Sequence, residues 1–257
     1  MSRLTPAVLV LVLLNAAVFL AGTVPNWSDQ IISHAALWYT SNPHFAAWQW
    51  ITHMFLHGSV GHIFFNMFAL ASFGPLLERK WGTQQFLLFY FLCGLGAGLT
   101  QTAVNHYRFQ FYFERAIAAG ASSSTITEFL STGDADFNPV STAGAILVQL
   151  YRIYAGNMLG ASGAIYGVMV AFGFSYPNAR LALMFFPVPI AAKYFIPIIL
   201  AVDLFSGVTG FSVFGPGIAH FAHLGGAAIG FILTLLWRKR NLQPSEELNP
   251  KSTASEA

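Results

Sequence analysis

Charged residues are scarce in this chain of 257 residues: Asp, Glu, Lys and Arg together make up only 9% of it, whereas 55% is hydrophobic. A water-soluble domain carries about 25% charged residues, so the composition argues against a soluble globular protein. The mean hydropathy of +0.58 indicates a membrane protein instead. The net charge is only +2 and no Lys/Arg cluster is interleaved with aromatic residues, so nucleic acid is not an expected partner.

Cysteine is nearly absent, because Cys93 is the single example in the chain. One cysteine excludes an intramolecular disulfide framework and a zinc site built from cysteines. It also gives no indication of the redox compartment.

Six apolar segments are predicted to cross a bilayer, whose core of about 30 Å takes roughly 20 helical residues. They are Pro6–Val24, Val60–Leu77, Gln84–Val104, Met158–Tyr176, Tyr194–Val208 and Ile218–Trp237. The first segment also resembles a cleavable signal peptide, because Arg3 precedes its apolar run. The predicted fold class is therefore an all-α membrane protein.

The distribution of Lys and Arg predicts the orientation of these spans. Nine of these residues lie in the connections on the side of the two termini, and three lie on the other side. Cytosolic connections are enriched in Lys and Arg, so both termini are expected in the cytosol, with the chain in a plasma (inner) membrane. Residues 1–240 form the predicted membrane domain and 241–257 a disordered cytosolic tail. Residues 105–157 are an insert between the third and fourth spans, with amphipathic helices expected at Tyr107–Ala119 and Val140–Tyr154.

Polar side chains inside the predicted spans and beside them are candidates for a functional site, because a charged residue in a span costs roughly 2.5–3.5 kcal/mol to insert. The candidates are His53, His57, His62, Asn66, Ser162, Asp203, His220 and His223. The sequence assigns no role to Asp203. His53 and His57 are predicted to line a path by which water reaches the site.

Glycines are placed where two of the spans would have to approach each other closely. Two pairs have the small-xxx-small spacing that lets helix backbones meet in lipid. The pairs are Gly163 with Gly167 and Gly226 with Gly230. They are predicted to bring the fourth and sixth spans so close that a serine of the fourth span meets a histidine of the sixth.

That serine is Ser162, whose hydroxyl becomes a useful nucleophile only when a base takes its proton. His223 is the candidate base. His62 and Asn66 lie four residues apart and share a helix face, from which both could donate to a tetrahedral oxyanion. Taken singly, the serine could be a helix cap, and the histidines could be headgroup contacts or metal ligands. Together the residues predict acyl transfer.

Four motifs, in this order, resemble those of the rhomboid family of intramembrane serine proteases. The motifs are HGSVGHIFFN, FGPLLERKWG, GASGAIYG and AHFAHLGGAAIG. The resemblance implies a six-transmembrane-helix rhomboid bundle with Ser162 as the nucleophile and His223 as the base. It also implies that His62 and Asn66 belong to the oxyanion site.

Two further roles follow from the resemblance alone. Gly160 would form the wall beside the nucleophile, and Tyr166 would stack on the base. The family works with a Ser–His dyad, so no metal and no cofactor is expected.

The implied function is hydrolysis of peptide bonds in or next to transmembrane segments. The expected partners are transmembrane protein substrates and the lipid bilayer, and the oligomeric state stays open. One alternative is a catalytically inactive rhomboid-like protein that binds and escorts membrane clients. A transporter or proton-relay channel is the other, and it would need coupled carboxylates that Asp203 alone does not supply.

Overall fold

Helices account for most of the structure, a computed structural model that describes residues 4–133, 141–183, 186–213, 215 and 217–240. The helices in this part are α1 (Pro6–Ala21), α2 (Trp27–Ala35), α3 (Gln49–Thr52) with a 3₁₀ turn at His53–Phe55, α4 (Val60–Trp81), α5 (Thr83–Ala118), α6 (Ser123–Thr132), α7 (Thr142–Tyr154), α8 (Ser162–Ser175), α9 (Ala192–Thr209) and α10 (His220–Arg240). Two antiparallel strand pairs accompany them, namely β1 (Leu37–Trp38) with β2 (Asn157–Met158) and β3 (Arg180–Leu183) with β4 (Phe186–Ala191). The all-α membrane fold is confirmed. The predicted tail 241–257 lies outside the described residues.

Each of the six predicted spans overlaps one helix. Within the described residues, α4, α5, α9 and α10 are long and apolar enough to cross a membrane. The other two, α1 and α8, are shorter, with 16 and 14 residues. α8 begins at Ser162 rather than at the predicted Met158, because Gly160 has a φ of 125°, which a helix does not allow.

The third span differs most from its prediction. Residues Tyr107–Ala119 were expected to form a separate interfacial helix, and this is wrong, because α5 continues without a break through Thr83–Ala118. No proline interrupts these 36 residues, and polar side chains alone do not end a helix. At 1.5 Å per residue α5 is roughly 54 Å long, so its end projects beyond a bilayer core of about 30 Å.

The projecting end of α5 carries a small helical cap made with α6 and α7. Its interior is a separate hydrophobic cluster of Ala116, Ile126, Phe129, Leu147 and Leu150. The main hydrophobic core lies elsewhere, around α8, which packs against α4, α5, α9 and α10. The cap and the main core are therefore distinct packing units.

The connection between α4 and α5 also holds the first helix in place. The carboxylate of Glu78, near the end of α4, is buried. It accepts hydrogen bonds from the backbone N–H groups of Ala7 (2.9 Å) and Val8 (3.1 Å) and from the Thr83 hydroxyl (2.8 Å). A negative charge at the N-terminus of a helix is stabilised by the helix dipole. Glu78 thereby anchors α1 against the core that surrounds α8.

Candidate active site

The candidate nucleophile lies at the contact between α8 and α10. Ser162 is the first residue of α8, and its Oγ is 2.8 Å from Nε2 of His223, which lies in the first turn of α10. The predicted glycines make this distance possible. A Cβ on Gly226 would lie 1.9 Å from the carbonyl oxygen of Gly163, and a Cβ on Gly230 would lie 2.5 Å from Cα of Gly167. Only glycine allows the two backbones to approach so closely.

The segment before Ser162 is held by the segment between α2 and α4. Strand β2 pairs with β1, with Leu37 opposite Met158. The N–H of Gly160 then donates to the carbonyl of His53 at 2.9 Å. A Cβ on Gly160 would be 2.8 Å from Nε2 of His62 and 3.7 Å from the serine Oγ. The space beside the nucleophile is therefore open only because residue 160 has no side chain.

His62 lies on the far side of this space. Its Nδ1 accepts from the N–H of Gly58 at 3.4 Å, so in the neutral ring the proton lies on Nε2, the nitrogen that faces Gly160. Asn66 follows one helical turn later, is buried, and donates from Nδ2 to the carbonyl of His62 at 2.9 Å. The Nε2–H of His62 thus faces the open space beside Ser162.

The ring of His223 is held on its face as well as at its edge. Tyr166 stacks on it, with the ring centroids 4.2 Å apart and the planes 15° from parallel. The Tyr166 hydroxyl donates to Oδ2 of Asp203. Oδ1 of the same carboxylate is 3.1 Å from Nδ1 of His223. Asp203 therefore touches both the candidate base and the tyrosine stacked on it.

The sequence alone assigns Asp203 no role. The sequence did contain an indication of one, because inserting an aspartate in the middle of an apolar span costs free energy unless the side chain has partners. Which partners it has depends on how α9 is rotated against α8 and α10, and the periodicity of one helix does not show this. Asp203 is completely buried at their junction.

His220 shares this carboxylate but does not contact Ser162. Its Nδ1 is 2.5 Å from Oδ1 of Asp203, and its Nε2 is 3.0 Å from the hydroxyl of Ser212. The two histidine rings of α10 are 6.3 Å apart and nearly perpendicular. About one helix turn thus separates His223, which contacts Ser162, from His220, which contacts Asp203 and Ser212.

A metal ion is geometrically conceivable at one place within the described residues. One ligand atom from each of Asp203, His220 and His223 lies within 4.8 Å of the others. These atoms are, however, already engaged with one another or with Ser162 at hydrogen-bond distances of 2.5–3.1 Å. We therefore interpret the group as a hydrogen-bonded cluster.

Two further histidines lie in the loop before α4. His53 is buried, and its Nδ1 contacts the carbonyl of Gln49 at 2.8 Å. Burial lowers the pKa of His53 to about 4, and burial together with the neighbouring His62 lowers the pKa of His57 to about 3. Both rings are therefore neutral at physiological pH. The path for water that they were expected to line stays a prediction.

Comparison with known proteins gives a family match that includes the residues of the candidate site. The family model described as the Rhomboid domain matches residues 44–131 and 137–240. The chain belongs to the rhomboid family. RHOMBOID-like protein 12, mitochondrial, of Arabidopsis thaliana is 31% identical over 189 residues, covering 74% of this chain and 46% of that protein. Presenilin-associated rhomboid-like protein, mitochondrial, of Homo sapiens is 27% identical over 234 residues, covering 88% and 48%. The chain therefore spans about half the length of the curated rhomboid relatives it matches.

These relatives correct one expectation. Both are named as mitochondrial proteins, as is RHOMBOID-like protein 6, mitochondrial, of Arabidopsis thaliana at 25% identity. The assignment to a plasma (inner) membrane with cytosolic termini is therefore wrong. The asymmetry of Lys and Arg reports on which side of a membrane the connections lie, and it does not identify the membrane. The multi-pass character of this rhomboid is supported.

Proposed function

We propose that this rhomboid is an intramembrane serine endopeptidase that cleaves peptide bonds in or next to transmembrane segments of other membrane proteins. One observation carries the proposal, namely the distance of 2.8 Å between Ser162 Oγ and His223 Nε2. A serine hydroxyl that donates to an imidazole nitrogen is the pair that nucleophilic acyl transfer requires. Capping, the common role of a serine at a helix start, does not require a histidine at this position.

The reaction would proceed in two halves. Ser162 Oγ attacks the substrate carbonyl carbon while its proton passes to Nε2 of His223, and the carbonyl oxygen becomes an oxyanion. When the tetrahedral intermediate collapses, the peptide C–N bond breaks and His223 returns the proton to the leaving amine. Water then attacks the acyl-enzyme and loses a proton to His223. When the second tetrahedral intermediate collapses, the bond to Ser162 Oγ breaks, His223 returns the proton to Oγ, and the new carboxyl group is released.

The oxyanion would lie in the space that Gly160 leaves open. His62 Nε2–H and the backbone N–H of Ser162 are its proposed donors, and Asn66 adds a side-chain amide at the same helix face. Donors that already point at the developing charge stabilise the transition state without reorganising during the reaction.

The substrate has to present an unpaired peptide bond to Ser162. In an intact membrane helix every backbone amide is hydrogen-bonded, so the substrate segment must unwind locally before it is attacked. Substrates with helix-breaking or small residues near the cleaved bond are the proposed class. The names of the relatives support a mitochondrial membrane as the location.

A fluorophosphonate probe tests the proposal, because it reacts only with an activated serine. The purified protein in detergent should be labelled at Ser162, and Ser162→Ala should not be labelled. Ser72→Ala is the matched control, because Ser72 is exposed on α4 and its hydroxyl donates to the carbonyl of Phe68 in the same helix; it should be labelled as the wild type is. Incubation with tagged single-span proteins should then give cleavage that Ser162→Ala lacks.

A folded wild-type protein that is not labelled and cleaves nothing, yet co-purifies with membrane proteins, would indicate the inactive escort function instead.

A further inference from the structure

Asp203 is the least expected side chain near the candidate site. It lies in α9, it is completely buried, and no Lys or Arg is paired with it in the described part of the chain. An ionised carboxylate in such a place is strongly destabilising unless hydrogen bonds satisfy its oxygens. Here three donors surround it, one from α8 and two from α10.

A single arrangement of protons satisfies the whole cluster. The ionised carboxylate only accepts, so the Tyr166 hydroxyl and the Nδ1–H groups of His220 and His223 all donate to it. Each neutral imidazole carries one proton, so both Nε2 atoms are left as acceptors. His220 Nε2 then accepts from the Ser212 hydroxyl at 3.0 Å, and His223 Nε2 accepts from the Ser162 hydroxyl at 2.8 Å. This is the tautomer of His223 that a general base needs.

We propose that Asp203 is a positioning residue for the reaction: it keeps His223 in the tautomer whose Nε2 faces Ser162 and stabilises the imidazolium that forms when the serine proton is transferred. The inference rests on the proposed protease function. Asp203 would then extend the expected Ser–His dyad to a Ser–His–Asp arrangement. Its role would be that of the aspartate in soluble serine proteases.

Tyr166 ties the aspartate and the base into one unit. Its ring covers one face of His223, and its hydroxyl is bound to the carboxylate that holds the edge of the same ring. The imidazole is thereby restrained in its plane by the stack and in its rotation by Asp203. The restraint comes from α8 and α9, whereas the base itself is on α10.

The isosteric variant Asp203→Asn tests the inference. Its amide NH₂ can donate to Nδ1 of His223, which moves the ring proton to Nε2 and leaves nothing to accept from Ser162. We expect the rate of fluorophosphonate labelling to fall at least roughly 100-fold, towards the ~10⁴-fold loss that the same change causes in a soluble triad protease. The final labelled fraction after long incubation should equal that of the wild type, because the variant is folded and only its base is misplaced.

A matched control separates chemistry from packing. Ser206 lies one turn further along α9 and is buried, and its hydroxyl has no hydrogen-bond partner among the described residues. Ser206→Ala disturbs the same helix contact without touching the cluster, so it should label at the wild-type rate. If Asp203 only tied helices together, Asp203→Asn would lower the labelled fraction and leave the rate of the folded molecules unchanged, and this would overturn the inference.

Two size-matched variants cover the case in which Asp203→Asn does not insert or fold. Asp203→Glu keeps a carboxylate and Asp203→Gln does not, although both enlarge the side chain equally. The folded fraction of the Glu variant should label at least about tenfold faster than that of the Gln variant, the effect of roughly 1.4 kcal/mol on a barrier. Equal rates would overturn the inference.

Failure of this inference is distinguishable from failure of the proposed function. If the wild type is not labelled, the protease proposal fails. If the wild type is labelled and Ser162→Ala is not, but Asp203→Asn labels as fast as the wild type, only the role of Asp203 fails.

Discussion

Gly163 and Gly226 bring α8 and α10 into backbone contact: a Cβ on Gly226 would lie 1.9 Å from the carbonyl oxygen of Gly163 and 2.6 Å from its carbonyl carbon. The atoms that this Cβ would meet belong to the backbone of α8, which cannot move aside as a flexible side chain can. The contact therefore sets the distance between the two helices and, with it, the distance between Ser162 and His223.

Gly226→Ala is therefore expected to push the two helices apart. Overpacking of this kind costs about 1–3 kcal/mol of stability, and it should nearly abolish fluorophosphonate labelling while the protein still inserts into the membrane. Gly61→Ala is the matched control, because a Cβ there would meet no atom of the described residues within 4 Å. Labelling of Gly226→Ala at the rate of Gly61→Ala would show that the close approach is not needed.

Gly160→Ala should damage the space for the oxyanion. The φ of 125° strains any other residue, and the added Cβ would lie 2.8 Å from His62 Nε2. Backbone strain alone costs of order 1–3 kcal/mol, so the midpoint of thermal unfolding and the labelling rate should both fall. Gly120→Ala isolates the strain, because Gly120 has a φ of 95° and open space around it. It should lower the unfolding midpoint only, and a similar loss of labelling in both variants would contradict the assignment of Gly160.

The two histidines of α10 should differ sharply in importance. His223→Ala removes the base and should slow labelling by on the order of 10⁴-fold or more. His220→Ala removes one hydrogen bond from the ionised Asp203, worth about 1.5–3 kcal/mol, so a loss of roughly tenfold to 150-fold is expected. The rate of fluorophosphonate labelling measures the effect of each substitution, and membrane insertion is checked for each variant. A dead His220→Ala beside an active His223→Ala would mean that the base is wrongly assigned.

Asn66→Ala should have an intermediate effect. Removing one oxyanion donor costs about 10²–10³ in kcat in a soluble protease, and here His62 and the Ser162 N–H would remain to share the charge. We expect cleavage of a tagged single-span substrate to fall by about tenfold to 100-fold, less than for His223→Ala. A complete loss in a folded variant would assign Asn66 a larger role than its hydrogen bond to the helix carbonyl indicates.

Acidification should destabilise the fold through His53. The folded protein has a pKa of about 4 for this ring, whereas the value for an unfolded chain is about 6.5. Between these values the unfolded chain binds a proton that the folded chain does not. The free energy of unfolding therefore falls as the pH falls from 6.5, by up to about 1.4 kcal/mol per pH unit.

Thermal unfolding in detergent between pH 7 and pH 5 measures this effect. His53→Gln should flatten the dependence, because it removes one of the protons taken up on unfolding. His57 stays in both proteins, so the comparison isolates His53. Identical slopes for the two proteins would contradict the burial of His53 as a neutral ring.

The cap on the end of α5 should be separable from the chemistry. Ile126→Ala opens a cavity in the cluster of the cap and should destabilise α6 and α7 by about 2–5 kcal/mol, seen as faster hydrogen exchange in these helices. The labelling rate of Ser162 should not change, because the cap and the main core are separate clusters. Thr127→Ala, an exposed neighbour, is the control. A parallel loss of labelling in Ile126→Ala would show that the cap helps to build the site.

Much of the fold was predictable because the apolar runs are local. Each predicted span overlaps a helix, and Gly163 and Gly226 were assigned to a helix contact from their spacing alone. The wrong predictions concern features that the local sequence pattern does not determine, such as where a helix ends. The predicted break near Tyr107 does not exist in α5, because amphipathic character describes which face of a helix is wet and does not end the helix.

The sequence by itself determined which residues with a recognisable spacing belong to the candidate site, among them Ser162, His223 and the glycine pairs. They follow each other in motifs whose periodicity places them on known helix faces. Only the tertiary structure decided that Asp203 lies beside His223. The two residues are 20 positions apart on different helices, and their meeting depends on the rotation and close approach of α9 and α10. A single polar residue in an apolar span shows that a partner must exist, but packing between helices decides which partner it is.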